Sequence, residues 1–408
     1  MSVVTTARRP GRHVPTSRPR PLPGLLLGAW GALFFNVLAF SHLPTVVRVP
    51  GTIGQMLTQS SLVLAVVLAL AVNPRGVMRP NLFLVLLTML AVVALMTSIH
   101  NQFFVGSTFR AMRLSGFVFV LWLLTPWWGR TDMVLLRCHL RCLWVVLATV
   151  VIGALMAPGK AFSYGGRLSG ALWPMPPTQV AHYAAMLLGI TTILWLCGVV
   201  SGRLALGALA LGGSVLVGAH TRTAIVAMLV GLVVAGASLF LGHARVRRVS
   251  ILGGMSVVLA ATLFAPEVTS WFRRGQTTQE ASELSGRTKV WSQVFDMPRP
   301  RINELFGSGL SNKSFNGLPI DSNWVATFLD EGWFGIVVVS SFLVILLLMA
   351  ASYVRGPQRA VALYIIVYCL IASITETGLS DASPYLLDLT VAATLLVRES
   401  TRARRVTP

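Results

Sequence analysis

The chain has 408 residues, 55% of them hydrophobic and only 11% charged, where soluble domains carry about 25% charged residues. Apolar runs near 20 residues recur along it, each enough to cross a bilayer core about 30 Å thick, which excludes an ordinary water-soluble domain. The net charge of +20 therefore points to Arg-rich cytoplasmic loops and anionic lipid, and not to nucleic acid.

Residues 1–22 are basic, rich in Pro and free of acids, the composition of a disordered cytoplasmic tail. The apolar run that follows has no small-residue cleavage site and is succeeded by further runs, so it reads as a signal anchor that stays in the protein. Twelve apolar helices are predicted, at 23–42, 51–72, 81–99, 112–128, 137–157, 177–199, 203–220, 222–241, 249–266, 333–352, 359–377 and 380–397. The expected fold is all-α, a polytopic transmembrane bundle, because a helix satisfies its own backbone polar groups in lipid. Nine spans fill 23–266 and three fill 333–397. The only long polar stretch, 267–332, separates them as a loop with short helices, and 398–408 forms a second basic tail.

Basic residues orient the bundle. With the N-terminus in the cytoplasm, the cytoplasmic loops and tails hold 20 of the 33 Lys and Arg. The long loop is exempt from the positive-inside rule. Both termini are then cytoplasmic and the long loop extracytoplasmic, in the inner membrane. Acids follow the opposite trend: Glu267, Glu280, Glu283, Asp296, Glu304, Asp321, Asp330, Glu331, Glu376 and Asp381 fall on or near the outer face. Aqueous chemistry belongs there.

Cys138, Cys142, Cys197 and Cys369 lie in or beside apolar runs. The first two have i, i+4 spacing with no second pair, so they read as packing residues and no metal site is expected. No P-loop or dinucleotide fingerprint is present, and no internal repeat of the kind that marks many transporters.

Six basic residues sit in short outer loops against the charge rule: Arg48, Arg110, Arg113, Lys160, Arg167 and Arg222. Arg167 lies in S-Y-G-G-R-L-S-G (163–170), where glycines allow close backbone approach to a ligand. Arg222 lies in G-A-H-T-R-T-A (218–224), a turn too short to leave the membrane surface; an interfacial Arg reaching for headgroups reads equally from the residues alone. In the long loop, Ser285 is placed to cap a short helix carrying Arg287, Lys289 and Trp291. L-F-G-S-G-L-S-N (305–312) follows. Next, Asp321, Ser322 and Asn323 stand at the entrance to the tenth span, where Asp321 is an acceptor-activating base, a sugar-binding carboxylate or a helix N-cap. Several arginines on one face suit an anionic ligand, since the guanidinium fork matches phosphate oxygens.

In order, R-x-x-G (Arg167, Gly170), T-R-T-A (221–224), S-G-R-x-x-x-W (285–291), F-G-x-G-L (306–310) and L-D-E-G-x-x-G (329–335) resemble the O-antigen ligase and O-antigen polymerase family of bacterial membrane glycosyltransferases. The resemblance covers residues 160–340. It implies an undecaprenyl-pyrophosphate-linked glycan as donor, a glycan or lipid hydroxyl as acceptor, inversion at the anomeric carbon, and no metal or cofactor. By position Arg167, Arg222 and Arg287 hold the pyrophosphate, with Lys289 beside them. Asp321 orients or deprotonates the acceptor, and Asn323 and Trp324 hold sugar. Where the ligases place a His, this chain has Asp321, and no His follows His243, a pattern compatible with the polymerase-like members. The competing classes are a transporter or flippase for a lipid-linked sugar or anion, and a non-catalytic assembly subunit. Spans mostly clean of charge count against transport.

Overall fold

The computed structural model describes residues 23–101, 104–266, 269–270 and 287–398. A helix occupies every predicted apolar run. The first ten are α1 (Gly24–Asn36), α2 (Gly51–Val72), α3 (Leu82–Ile99), α4 (Phe104–Leu123), α5 (Val134–Met156), a single turn α6 (Pro158–Ala161), α7 (Pro177–Leu196), α8 (Gly202–Ala219), α9 (Arg222–Leu239) and α10 (Ala244–Leu263). The polar stretch holds α11 (Arg287–Asp296) and α12 (Arg301–Phe306), then a hairpin of β1 (Ser314–Phe315) and β2 (Leu318–Pro319). Asn316 and Gly317 turn that hairpin with φ 50° and 77°, the left-handed pair that a two-residue connection demands. The chain ends in α13 (Asn323–Ser352), α14 (Pro357–Ala372) and α15 (Pro384–Leu396).

Among the described residues, α2, α3, α4, α5, α7, α8, α9 and α13 are long and apolar enough to cross a membrane. Length and composition thus identify a membrane protein with eight such helices, fewer than the twelve expected. The shortfall has a physical origin. Three apolar helices, α1, α14 and α15, have only 13, 16 and 13 residues, and at 1.5 Å per residue 13 residues reach about 20 Å. α10 opens with Arg245, Arg247 and Arg248 and falls outside both groups.

Non-helical chain, largely turns and bends, continues where the short helices stop. Segment 37–50 follows α1, 162–176 precedes α7 and 373–383 joins α14 to α15. The first two are stitched together: Ser41 N donates to Pro174 O at 2.9 Å, Val46 N to Ala171 O at 2.8 Å, and Ala39 N to Gln179 Oε1 at 2.8 Å. Non-helical backbone at membrane depth persists only when protein covers it or it lines a polar cavity. α7 is the most enclosed helix, packed by α5, α8, α9 and α14, with 83% of its apolar window buried against 22–39% in the other seven long helices.

One long helix is broken. α13 carries Gly332 at φ 62°, ψ −160°, a region open essentially to glycine alone. The break frees carbonyls, and the turn after α12 takes them: Ser308 N donates to Leu329 O at 3.1 Å and Gly309 N to Asp330 O at 2.9 Å. Gly307 and Gly332 interlock backbone to backbone, so that a Cβ on Gly332 would stand 2.5–2.6 Å from Leu305 C, Glu304 O and Gly307 N. The motifs F-G-x-G-L and L-D-E-G therefore form one joint. Gly332→Ala combines about 1–3 kcal/mol of backbone strain with that overlap, and is expected to lower the unfolding temperature in detergent by several degrees. Gly236→Ala, in open space on α9, leaves it unchanged or raises it.

The spans are not clean. Asp388 on α15 lies 2.9 Å from His139 Nε2 on α5 and 2.9 Å from His182 Nε2 on α7, all three 1% exposed. On α13, Asp330 and Glu331 are fully buried. Lys313 pairs with Asp330, and Arg113 of α4 grips Asn36 through Nε at 3.2 Å and Nη2 at 2.7 Å.

Candidate functional site

The site forms where the loop meets the ends of α9, α13 and α14. α11 docks by one face: Val290 and Val294, four residues apart, are buried with Ile320, Val325 and Ala326 of the stretch entering α13. That docking sets Arg287, at the start of α11, over the residue before the N-cap of α13. Arg287 Nε donates to Asp321 Oδ2 at 3.1 Å, both side chains half-buried. The N-cap is Ser322 and makes no side-chain cap bond. Asp321 is therefore no helix cap; its carboxylate belongs to Arg287. The expected Ser285 cap lies outside the described residues.

Arg167 approaches from the other side of the chain. Gly165 and Gly166 turn at φ 57° and 71°, which folds the loop back so that Tyr164 pairs with Arg167. The guanidinium then donates through Nε to Ala219 O at 3.1 Å and through Nη2 to Thr221 Oγ1 at 2.9 Å. Thr223 places its hydroxyl 2.8 Å from that of Thr375. The two threonines of T-R-T thus tie Arg167 and segment 373–383 to the start of α9, with half-buried Arg222 between them. Neither α9 nor α13 has a side-chain cap at its N-terminus, so two helix dipoles turn their positive ends toward this region.

Segment 373–383 is the floor that motif reading missed. Asn323 N donates to Ser373 O at 2.9 Å and Trp324 Nε1 to Ser373 Oγ at 3.1 Å. Asn323 Oδ1 accepts from Gly378 N at 3.1 Å and Leu379 N at 2.7 Å. Its amide Nδ2 donates to Thr327 Oγ1 at 3.3 Å, and the side chain is 1% exposed. Asn323 is committed to holding this segment and, at 1% exposure, presents no surface to a sugar in this conformation. Trp324 stays half-buried beside it. Lys289 is exposed, two residues from Arg287 and so on a different side of α11.

Glu376 enters the same space. Burial and then Asp321 push its carboxyl up to about 7, against the pull of Arg287 and Arg167. Burial also raises Asp321, opposed by Arg287. For Arg167, burial works first against the charge, with Arg287 acting the same way, while Tyr164 and Glu376 support it. These mutual influences place Arg167, Arg287, Asp321 and Glu376 within one electrostatic neighbourhood. Three cations expected from sequence are elsewhere engaged: Lys160 Nζ donates to Thr45 O at 2.9 Å, Arg110 to Ser311 O, and Arg113 to Asn36. No group of His, Cys, Asp and Glu among the described residues could hold a metal ion.

The arrangement can bind an anion between Arg167 and Arg287 and offers two carboxylates of different character. No family model and no curated protein matches this sequence.

Proposed function

We propose that this protein transfers or polymerises an undecaprenyl-pyrophosphate-linked oligosaccharide onto an acceptor hydroxyl at the outer face of the cytoplasmic membrane. The observation that carries the reading is the convergence of Arg167, from a loop before α7, and Arg287, from the polar stretch far along the chain, beside two carboxylates. Such a set fits a diphosphate that gains charge on leaving next to a hydroxyl that loses a proton. The lipid tail keeps the diphosphate at interface depth, where the half-buried arginines stand. In this reading the twelve apolar segments all cross the bilayer and both termini are cytoplasmic.

Purified protein in detergent, given a synthetic polyprenyl-pyrophosphate-linked oligosaccharide, is expected to extend or transfer the glycan without nucleotide sugar. Arg222→Ala is expected to lower that rate about 10- to 100-fold by weakening charge stabilisation of the leaving group. Unchanged product yield and length in this variant would remove Arg222 from the site.

Transport of the same lipid-linked sugar has one observation in its favour, the ionisable groups at membrane depth. Movement of the donor across vesicles without turnover in detergent would decide for that reading. The His139–Asp388–His182 group is enclosed at 1% exposure, so it lines no open path in this conformation.

A further inference from the structure

If glycan transfer is the reaction, the two carboxylates of the site divide the labour, and their surroundings assign the roles. Asp321 Oδ2 is occupied by Arg287 Nε at 3.1 Å. Glu376, half-buried, makes no side-chain hydrogen bond or ion pair among the described residues, although Arg167, Arg287 and Asp321 all act on it. A proton acceptor needs a free lone pair facing the reacting hydroxyl, and of the two Glu376 is the one without a donor already on it.

Its position is built. Glu376 N donates to Ala372 O at 2.8 Å. The residue before it is bonded to Thr223, and Ser373, three residues before it, to Asn323 and Trp324. Gly378, two residues after it, donates to Asn323 Oδ1. Both flanks of Glu376 are therefore pinned to the two helix starts that carry Arg222 and the Asp321 entrance. No local pattern hints at this, because Glu376 has no motif around it and is separated from Asp321 by the whole of α13 and α14.

We infer that Glu376 is the base that takes the proton from the acceptor hydroxyl, with Asp321 a positioning residue that holds Arg287. In the step, the acceptor O–H passes its proton to Glu376 as the oxygen forms a bond to the anomeric carbon. The bond from that carbon to the phosphate oxygen breaks, and its electron pair leaves on the lipid pyrophosphate, beside Arg167 and Arg287. Glu376 then returns its proton to water. Activity needs the carboxylate, so transfer falls as pH drops through its midpoint of about 7. The other titratable and charged groups that act on Glu376 or feel it are Asp321, Arg287, Arg167, Tyr368 and Tyr385.

The test is steady-state transfer by the purified full-length protein in detergent, with a polyprenyl-pyrophosphate-linked oligosaccharide, over about pH 5.5 to 9. Wild type is expected to lose kcat on the acid side with a midpoint of about 7. Glu376→Gln is expected to lower kcat about 100-fold or more, with donor KM within roughly threefold and the acid limb gone. Glu376→Asp, which keeps a carboxylate on a shorter stem, is expected to recover part of kcat and to keep an acid limb at a shifted midpoint. An active wild type whose Glu376→Gln form keeps kcat or the same acid limb overturns the base assignment and leaves the transferase reading standing. Loss of kcat and of the acid limb in Asp321→Asn, with Glu376→Gln intact, gives the role to Asp321. A folded wild type that turns over no such donor removes the transferase reading and the assignment together.

Discussion

Arg287→Ala is expected to lower glycan transfer about 100- to 1000-fold, equivalent to roughly 3–4 kcal/mol of transition-state stabilisation, while the protein stays folded. α11 is held by Val290 and Val294 on the entrance to α13, contacts that do not involve the guanidinium. The half-buried pair with Asp321 contributes little to folding, as partly exposed ion pairs do. In the proposed reaction, what the variant removes is a fork of donors for developing phosphate charge. Arg287→Lys is expected to recover only part of the rate, because an ammonium keeps the charge without the fork. The decisive measurement is a double-mutant cycle with Asp321→Asn. If Asp321 works through Arg287, its change has a large effect in the wild-type background and a small one in the Arg287→Ala background, so the two losses fail to add. Additive losses would separate the residues and break the positioning role given to Asp321.

Much of this molecule could be read from local pattern. Helix placement follows from run length, and α2, predicted over 51–72, spans Gly51–Val72. The arginines of R-x-x-G and of the polar stretch are both singled out by local pattern, and they act on the same carboxylate, Glu376. What local pattern could not carry is partnership across the chain. Asn323 reads as a polar side chain at a helix entrance, yet two backbone N–H groups more than fifty residues away use its oxygen. Glu376 reads as an isolated acid. Asp388 reads as a lone acid inside an apolar run, and only the packing of α5 and α7 around α15 shows two imidazoles placed to meet it. The difference between twelve predicted spans and eight helices long enough on their own has a related reason. Turns and bends replace the ends of α1 and α14 and the start of α15, and hydropathy sums composition without distinguishing helix from non-helical chain.

Asp388→Ala is expected to destabilise the bundle by about 2–6 kcal/mol, from two buried N–H groups that each lose their acceptor at about 1–3 kcal/mol. The carboxylate joins three helices at once, through His139 on α5 and His182 on α7, with Trp30 and Phe34 edge-on to the first imidazole and Tyr385 against the second. A carboxylate only accepts, so each imidazole meets it as Nε2–H. His182 Nδ1 is then free to accept from the Tyr368 hydroxyl at 3.3 Å. Alanine leaves both Nε2–H groups without an acceptor in an apolar interior, and that desolvation is the source of the loss. Asp388→Asn is expected to lose less, since its oxygen accepts from one imidazole and its amide donates to the other in the alternative tautomer. Replacing all three residues together by apolar side chains of similar volume is expected to restore most of the stability. Thermal unfolding in detergent ranks the four proteins, and equal stability of Asp388→Ala and wild type would show that the three helices pack without the carboxylate. If the triple replacement is stable and still transfers glycan, the buried group holds helices; if it is stable and inactive, the group serves the reaction from inside the membrane.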